Sequence, residues 1–127
     1  FAVAMDAAPI WIDSITNEYY GADAIYNNLE SGYYNQQQYA DKHSGIYIEV
    51  KEEYAKILGN NGNLVFGAIP SINGFPGHIA PIFELDNFGN IIFANVGSKI
   101  GELDFDHAFG KKEEKYKKRK YYAWGGF

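Results

Sequence analysis

An α+β domain, with helices packed on an antiparallel sheet that follows them in the chain, is the fold class this sequence predicts. Three observations point there. Apolar residues at helical spacing occur before residue 60; short apolar runs bounded by Gly, Asn and Pro occur after it; and two of those runs are joined by Asp86-Asn87-Phe88-Gly89-Asn90, a loop with the residues a hairpin turn needs. At 127 residues the chain is one domain, enough for a single core. It starts at Phe1 without a Met or a leader-like segment, so the sequence reads as processed or partial, with residues 1–127 forming one domain that lacks its extreme N-terminus.

The elements follow in order. Phe1, Ala4, Met5 and Ala8 share one stripe that Pro9 interrupts, which predicts the tail of a helix begun upstream. Residues 10–21 read as an irregular or partly helical link. Ala22, Ile25, Tyr26 and Leu29 are spaced for an amphipathic helix that Ser31-Gly32 stops. After the Gln-rich residues 33–40 and a turn at 41–45 comes the short run Ile46-Tyr47-Ile48-Glu49-Val50. Val50, Tyr54, Ile57 and Leu58 then predict a second helix, supported by Glu52 four residues ahead of Lys56. Leu64-Val65-Phe66-Gly67-Ala68-Ile69 predicts a strand closed by Pro70. The next strand opens at Gly77-His78-Ile79-Ala80, and Ile91-Ile92-Phe93-Ala94-Asn95-Val96-Gly97 is its hairpin partner. A last strand is expected around Tyr121, Tyr122 and Trp124. Gly62-Asn63-Leu64-Val65-Phe66-Gly67 is echoed by Gly89-Asn90-Ile91-Ile92-Phe93-Ala94, but two copies fall short of the three that a repeat architecture requires.

Composition excludes several classes. Hydrophobic residues make up 46% and charged residues 21%, as in an ordinary globular protein, and no apolar run is long enough for a membrane span. With no cysteine there is no disulfide and no thiolate metal site. The net charge of -5 is unevenly spread: residues 111–120 hold seven of the eleven basic side chains and two of the sixteen acidic ones. The rest of the chain is strongly acidic, which argues against a nucleic-acid partner. The basic run reads as a solvated hairpin tip that would also attract an anionic polymer.

The chemistry centres on His78 and Asn95. If their strands pair, an imidazole and an amide oxygen lie side by side, the orienting half of a nucleophile-histidine-amide arrangement. A strand-entrance histidine ordinarily bonds a neighbouring carbonyl, and Asn95 before Val96-Gly97 also suits a turn. Gly77 before the ring, the small Ala80 after it and the Asn on the next strand favour the catalytic reading. His107, with Asp104, Asp106 and His43, matches no zinc or calcium spacing, so no metal ligand and no cofactor is expected. No serine sits in a Gly-x-Ser-x-Gly elbow, and Asn60-Asn61-Gly62 follows a helix rather than a strand, the wrong order for a phosphate loop.

Asn60-Asn61-Gly62, Leu64-Val65-Phe66-Gly67-Ala68, Pro76-Gly77-His78-Ile79-Ala80, Ala94-Asn95-Val96-Gly97, Asp106-His107-Ala108-Phe109-Gly110 and Lys120-Tyr121-Tyr122 together resemble the papain-like cysteine peptidases and amidases of the NlpC/P60 and CHAP group. The resemblance implies a papain-like fold and a peptidoglycan hydrolase in the cell envelope or outside the cell, cutting an amide or peptide bond. It implies catalytic roles for His78 as general base and Asn95 as its orienting partner, and a nucleophilic cysteine a few residues before Phe1. An inactive relative that binds glycan or peptide is the alternative. Pro81, inside the histidine strand, is expected to require an edge position or a bulge. The sequence carries no signal for oligomeric state.

Overall fold

A computed structural model describes residues 16, 18–33, 47–74, 76–95, 100–110 and 113–125. The expected helical stripe at 1–8, most of the link at 10–21, the Gln-rich residues 34–40, the turn at 41–45 with His43, and Val96-Gly97 lie outside the described residues. Within them the order is α1 (Ala22–Ser31), β1 (Tyr47–Val50), α2 (Glu52–Asn60), β2 (Val65–Ile69), β3 (His78–Leu85), β4 (Ile91–Asn95), β5 (Gly101–Asp104), α3 (Phe105–Phe109), α4 (Glu113–Lys117) and β6 (Lys120–Trp124). Mixed helix and antiparallel sheet make this an α+β fold.

The six strands form one sheet in the order β1-β6-β2-β3-β4-β5, with every neighbouring pair antiparallel. The last strand is therefore an interior one. All five residues of β2 are buried, as are Tyr121, Tyr122 and Ala123 at the centre of β6. Strands covered on both faces lose the alternation of a half-exposed strand and read as continuous apolar runs. β4 keeps it: Ile91, Phe93 and Asn95 are buried, with Ile92 and Ala94 less so.

Helices cover both faces. On one, Ile25, Tyr26 and Leu29 of α1 pack with Tyr47, Leu64, Phe66, Ala68 and Tyr122. α1 ends where the sequence predicts: Gly32 adopts φ 75°, the left-handed conformation glycine tolerates, and its N–H turns back to the carbonyls of Asn28 and Leu29. On the other face, Ala55 of α2 and Phe109 of α3 pack with Val65, Ala80, Ile82, Phe93 and Tyr121. Here α2 approaches closely, because a Cβ on Gly59 would stand 2.6 Å from Ile82 Cγ2. Ion pairs tie the layers at their rims, with Lys120 Nζ 3.1 Å from Glu30 and the Arg119 guanidinium 2.7 Å from Glu52.

Two expectations are corrected. Helices are not confined to the first half: β1 precedes α2, and α3 and α4 follow β5. Five-residue helices span little more than one turn, too short to show a 3.6-residue period. The basic residues are not a hairpin tip either, because β6 pairs with β1 and β2 rather than β5, and the connection contains α4.

Pro81 does not lie in an edge strand. Up to Pro81, β3 pairs with β2, ending at Phe66↔Pro81; from Ile82 it pairs with β4, starting at Ile82↔Phe93. Proline thus sits at the hand-over between partners, where the ladder tolerates a missing donor. The irregularity comes just beyond, as a register shift between Ile82 and Glu84.

Candidate functional site

Strand alternation puts His78, Ala80 and Ile82 on one face of β3 and turns Ile79 to the other, where it packs against the α1 core. Phe93 and Asn95 alternate in the same way along β4. Continuing the Ile82↔Phe93 register sets Asn95 across from Ala80 and one diagonal step from His78. The two side chains meet: His78 Nε2 hydrogen-bonds Asn95 Oδ1.

An amide oxygen only accepts, so His78 Nε2 carries a proton, and in the neutral ring it is Nδ1 that holds the lone pair. Nδ1 has no hydrogen-bond partner among the described residues. The ring is half-buried, and Asn95 is only 4% exposed, the sole buried polar side chain of the described core. A buried amide held to a histidine fixes both tautomer and ring plane. The pair can take a proton at Nδ1 and return it, but it cannot attack a carbonyl by itself.

Aromatic packing supports the ring from below. Gly67 and Ala80 are register partners, and their small size leaves room for Phe93: a Cβ on Gly67 would stand 2.6 Å from its Cε1. Phe93 meets Phe109 edge-on at 4.9 Å, and Phe109 meets His78 at 5.0 Å and 71°. Phe105 stacks on Phe109 at 4.7 Å. Small residues on β2 and β3 thus decide where the rings lie, and the rings decide where the imidazole can turn.

Two residues that shape the site carry no catalytic signal in the sequence. Phe109 lies in a five-residue helix with no visible period. Asp23, in the first turn of α1, accepts a hydrogen bond at 3.0 Å from the N–H of Gly77, 54 positions away and next to His78. No local pattern reports a contact at that separation.

At the other end of the hairpin a cavity of about 320 Å³ is lined by Glu52, Lys56, Asp86, Asp104, Phe105 and Tyr121, among others, but not by His78 or Asn95. Three of its carboxylates, Glu52, Asp86 and Asp104, already serve structure. Asp86 accepts from the N–H groups of Phe88 and Asn90 at 2.8 and 2.9 Å, and those bonds, Asn90 foremost, hold its carboxyl below the ordinary value. Asp104 caps α3 through the N–H of His107 and pairs with that ring's Nδ1 at 2.5 Å. Burial pushes Glu52 upward, yet the hydrogen bond and charge of Arg119 outweigh it and leave Glu52 lowered; burial pushes the neighbouring Tyr121 phenol up. Among the described residues, no three His, Asp or Glu side chains are grouped to hold an ion.

No protein-family model, curated protein or solved structure matches the chain. The class that fold and site define is therefore an α+β domain with a histidine-asparagine pair between adjacent strands of a six-stranded antiparallel sheet. No helix among the described residues is long and apolar enough to cross a membrane.

Proposed function

We propose that the chain is the base-bearing body of a papain-like cysteine hydrolase of the NlpC/P60 and CHAP kind, acting on an amide or peptide bond of peptidoglycan in the cell envelope or outside the cell. The observation that carries this reading is the His78 Nε2 to Asn95 Oδ1 hydrogen bond, which leaves Nδ1 as the basic nitrogen. With no cysteine among its 127 residues, the thiol would come from residues outside this sequence.

The chemistry then runs in two halves. Nδ1 of His78 takes the thiol proton, the thiolate attacks the carbonyl carbon, and backbone N–H groups beside the nucleophile stabilise the oxyanion. The imidazolium returns its proton to the leaving amine as the C–N bond breaks. Water, deprotonated at the same nitrogen, next hydrolyses the thioester and restores the thiol. Asn95 keeps the ring in one tautomer throughout and holds Nδ1 toward the nucleophile.

Lysis of purified cell walls by the intact protein and by its His78→Ala variant tests the reading. Loss of lysis in the variant supports it, and equal lysis rejects it. The absence of cysteine favours a second reading, an inactive relative that binds glycan or peptide. Wall fragments retained by the intact protein without cleavage, and equally by His78→Ala, would select that alternative.

A further inference from the structure

Gly77, the residue before the histidine, is half-buried and has no room for a side chain. A Cβ there would collide with Asp23 Oδ1, stand 2.8 Å from the carbonyl oxygen of Ile69 and 3.2 Å from the carbonyl carbon of Pro70. Into that space Asp23 directs its carboxylate, 3.0 Å from the Gly77 N–H. Asp23 belongs to α1, whose apolar side packs on the face of the sheet opposite to the one His78 occupies. This bond therefore links the α1 layer to the backbone that sets the His78 ring.

We propose that Asp23 is a positioning residue for His78: its carboxylate anchors the Gly77 backbone so that the imidazole meets Asn95 through Nε2 and presents Nδ1. The catalytic meaning of this rests on the hydrolase reading above, whereas the positioning itself does not. The β2–β3 ladder ends at the Ile69↔His78 pair, so the N–H of Gly77 lies one peptide beyond it and is held by Asp23 instead. The rotation of the Pro76–Gly77 peptide sets how the backbone enters the strand at His78. A carboxylate is suited to the task because it accepts strongly from a backbone N–H, and its place in the first turn of a helix favours negative charge. The glycine is required in turn because any side chain would displace the acceptor.

The experiment uses the full chain, labelled with nitrogen-15, as wild type, Asp23→Ala and Asp23→Asn. Hydrogen exchange at the Gly77 amide, the His78 ring nitrogen shifts and thermal unfolding are measured together. Asp23→Ala is expected to speed Gly77 exchange about tenfold, the factor that a loss of ~1.4 kcal/mol represents. It is also expected to move the ring nitrogens from the pure Nε2–H form toward a mixture. Asp23→Asn keeps an acceptor oxygen and is expected to stay near wild type in both. Asp23→Leu, of similar shape but with no acceptor, should reproduce the ring shift and serves if Asp23→Ala does not fold. Ring nitrogens that stay put while Gly77 exchange rises would reduce Asp23 to a structural clamp, and Asp23→Ala leaving both Gly77 exchange and the ring nitrogens at their wild-type values would remove the anchor; either overturns the proposal. Where wall lysis is observed, Asp23→Ala should lower kcat and leave KM unchanged. Should His78→Ala leave lysis intact, the hydrolase reading falls alone, since the ring nitrogen shifts judge Asp23 independently.

Discussion

The two ends of the β3–β4 hairpin are built on opposite principles. At the turn, Asp86, Phe88 and Asn90 satisfy one another within four residues, and Gly89 takes φ 79° to close the loop. At the open end, His78 and Asn95 are 17 positions apart and meet only because two strands pair in one register. The turn end is a local structure that would persist in a short peptide's preferences; the His78 end exists only while the sheet and its aromatic support are in place. Polar groups held by local bonds shape the chain, and those brought together by the fold are available for chemistry.

The largest blow to this contrast should come from Phe93→Ala. Phe93 is fully buried between the two ends, and its loss should cost about 3–5 kcal/mol, read as a drop in the urea midpoint. The His78–Asn95 contact should loosen while the Asp86 turn keeps its slow-exchanging amides. Equal disturbance at both ends would contradict the distinction.

Asn95→Ala should cost less, about 1–3 kcal/mol, because the His78 N–H then lacks its buried acceptor. The ring nitrogens should also report a mixed tautomer. An unchanged nitrogen spectrum would show that Asn95 does not hold the ring.

Acid titration sharpens the comparison at the cavity end. The folded value of Glu52 is lowered, since Arg119 outweighs burial, so its contribution is fully present above the unfolded value, near 4.5, and fades as pH falls through the folded one. The stability gap between wild type and Glu52→Gln should be flat from about pH 6 to 8 and shrink below that unfolded value. A gap that widens on acidification would reverse the sign. The smallest effect is expected for Gly89→Ala, about 1–2 kcal/mol for forcing a side chain into a left-handed turn, with His78 and Asn95 undisturbed in their nitrogen spectra.

Much of the architecture was legible residue by residue. Ile25, Tyr26 and Leu29 announce α1 and Gly32 its end; the Asn and Gly residues after Asp86 announce the hairpin; the apolar run at Tyr121 and Tyr122 announces β6. What escaped has a common cause. α3 and α4 are shorter than the window in which a period shows, and the pairing of β6 with β1 and β2 joins segments far apart in sequence, to which local spacing is blind.

The site divides along the same line. Gly77-His78-Ile79-Ala80 and Asn95 could be picked out as chemistry-bearing residues, because residue type and strand alternation are written in the chain. That Nε2 rather than Nδ1 faces the amide, that Phe109 packs against the ring, and that Asp23 anchors Gly77 were decided only by the tertiary structure. Sequence determined which side chains occupy each face of each strand, since alternation is a local property of the backbone. Which of them touch depended on strand order, register and the gaps left by Gly67 and Ala80, and these come from packing the whole sheet at once.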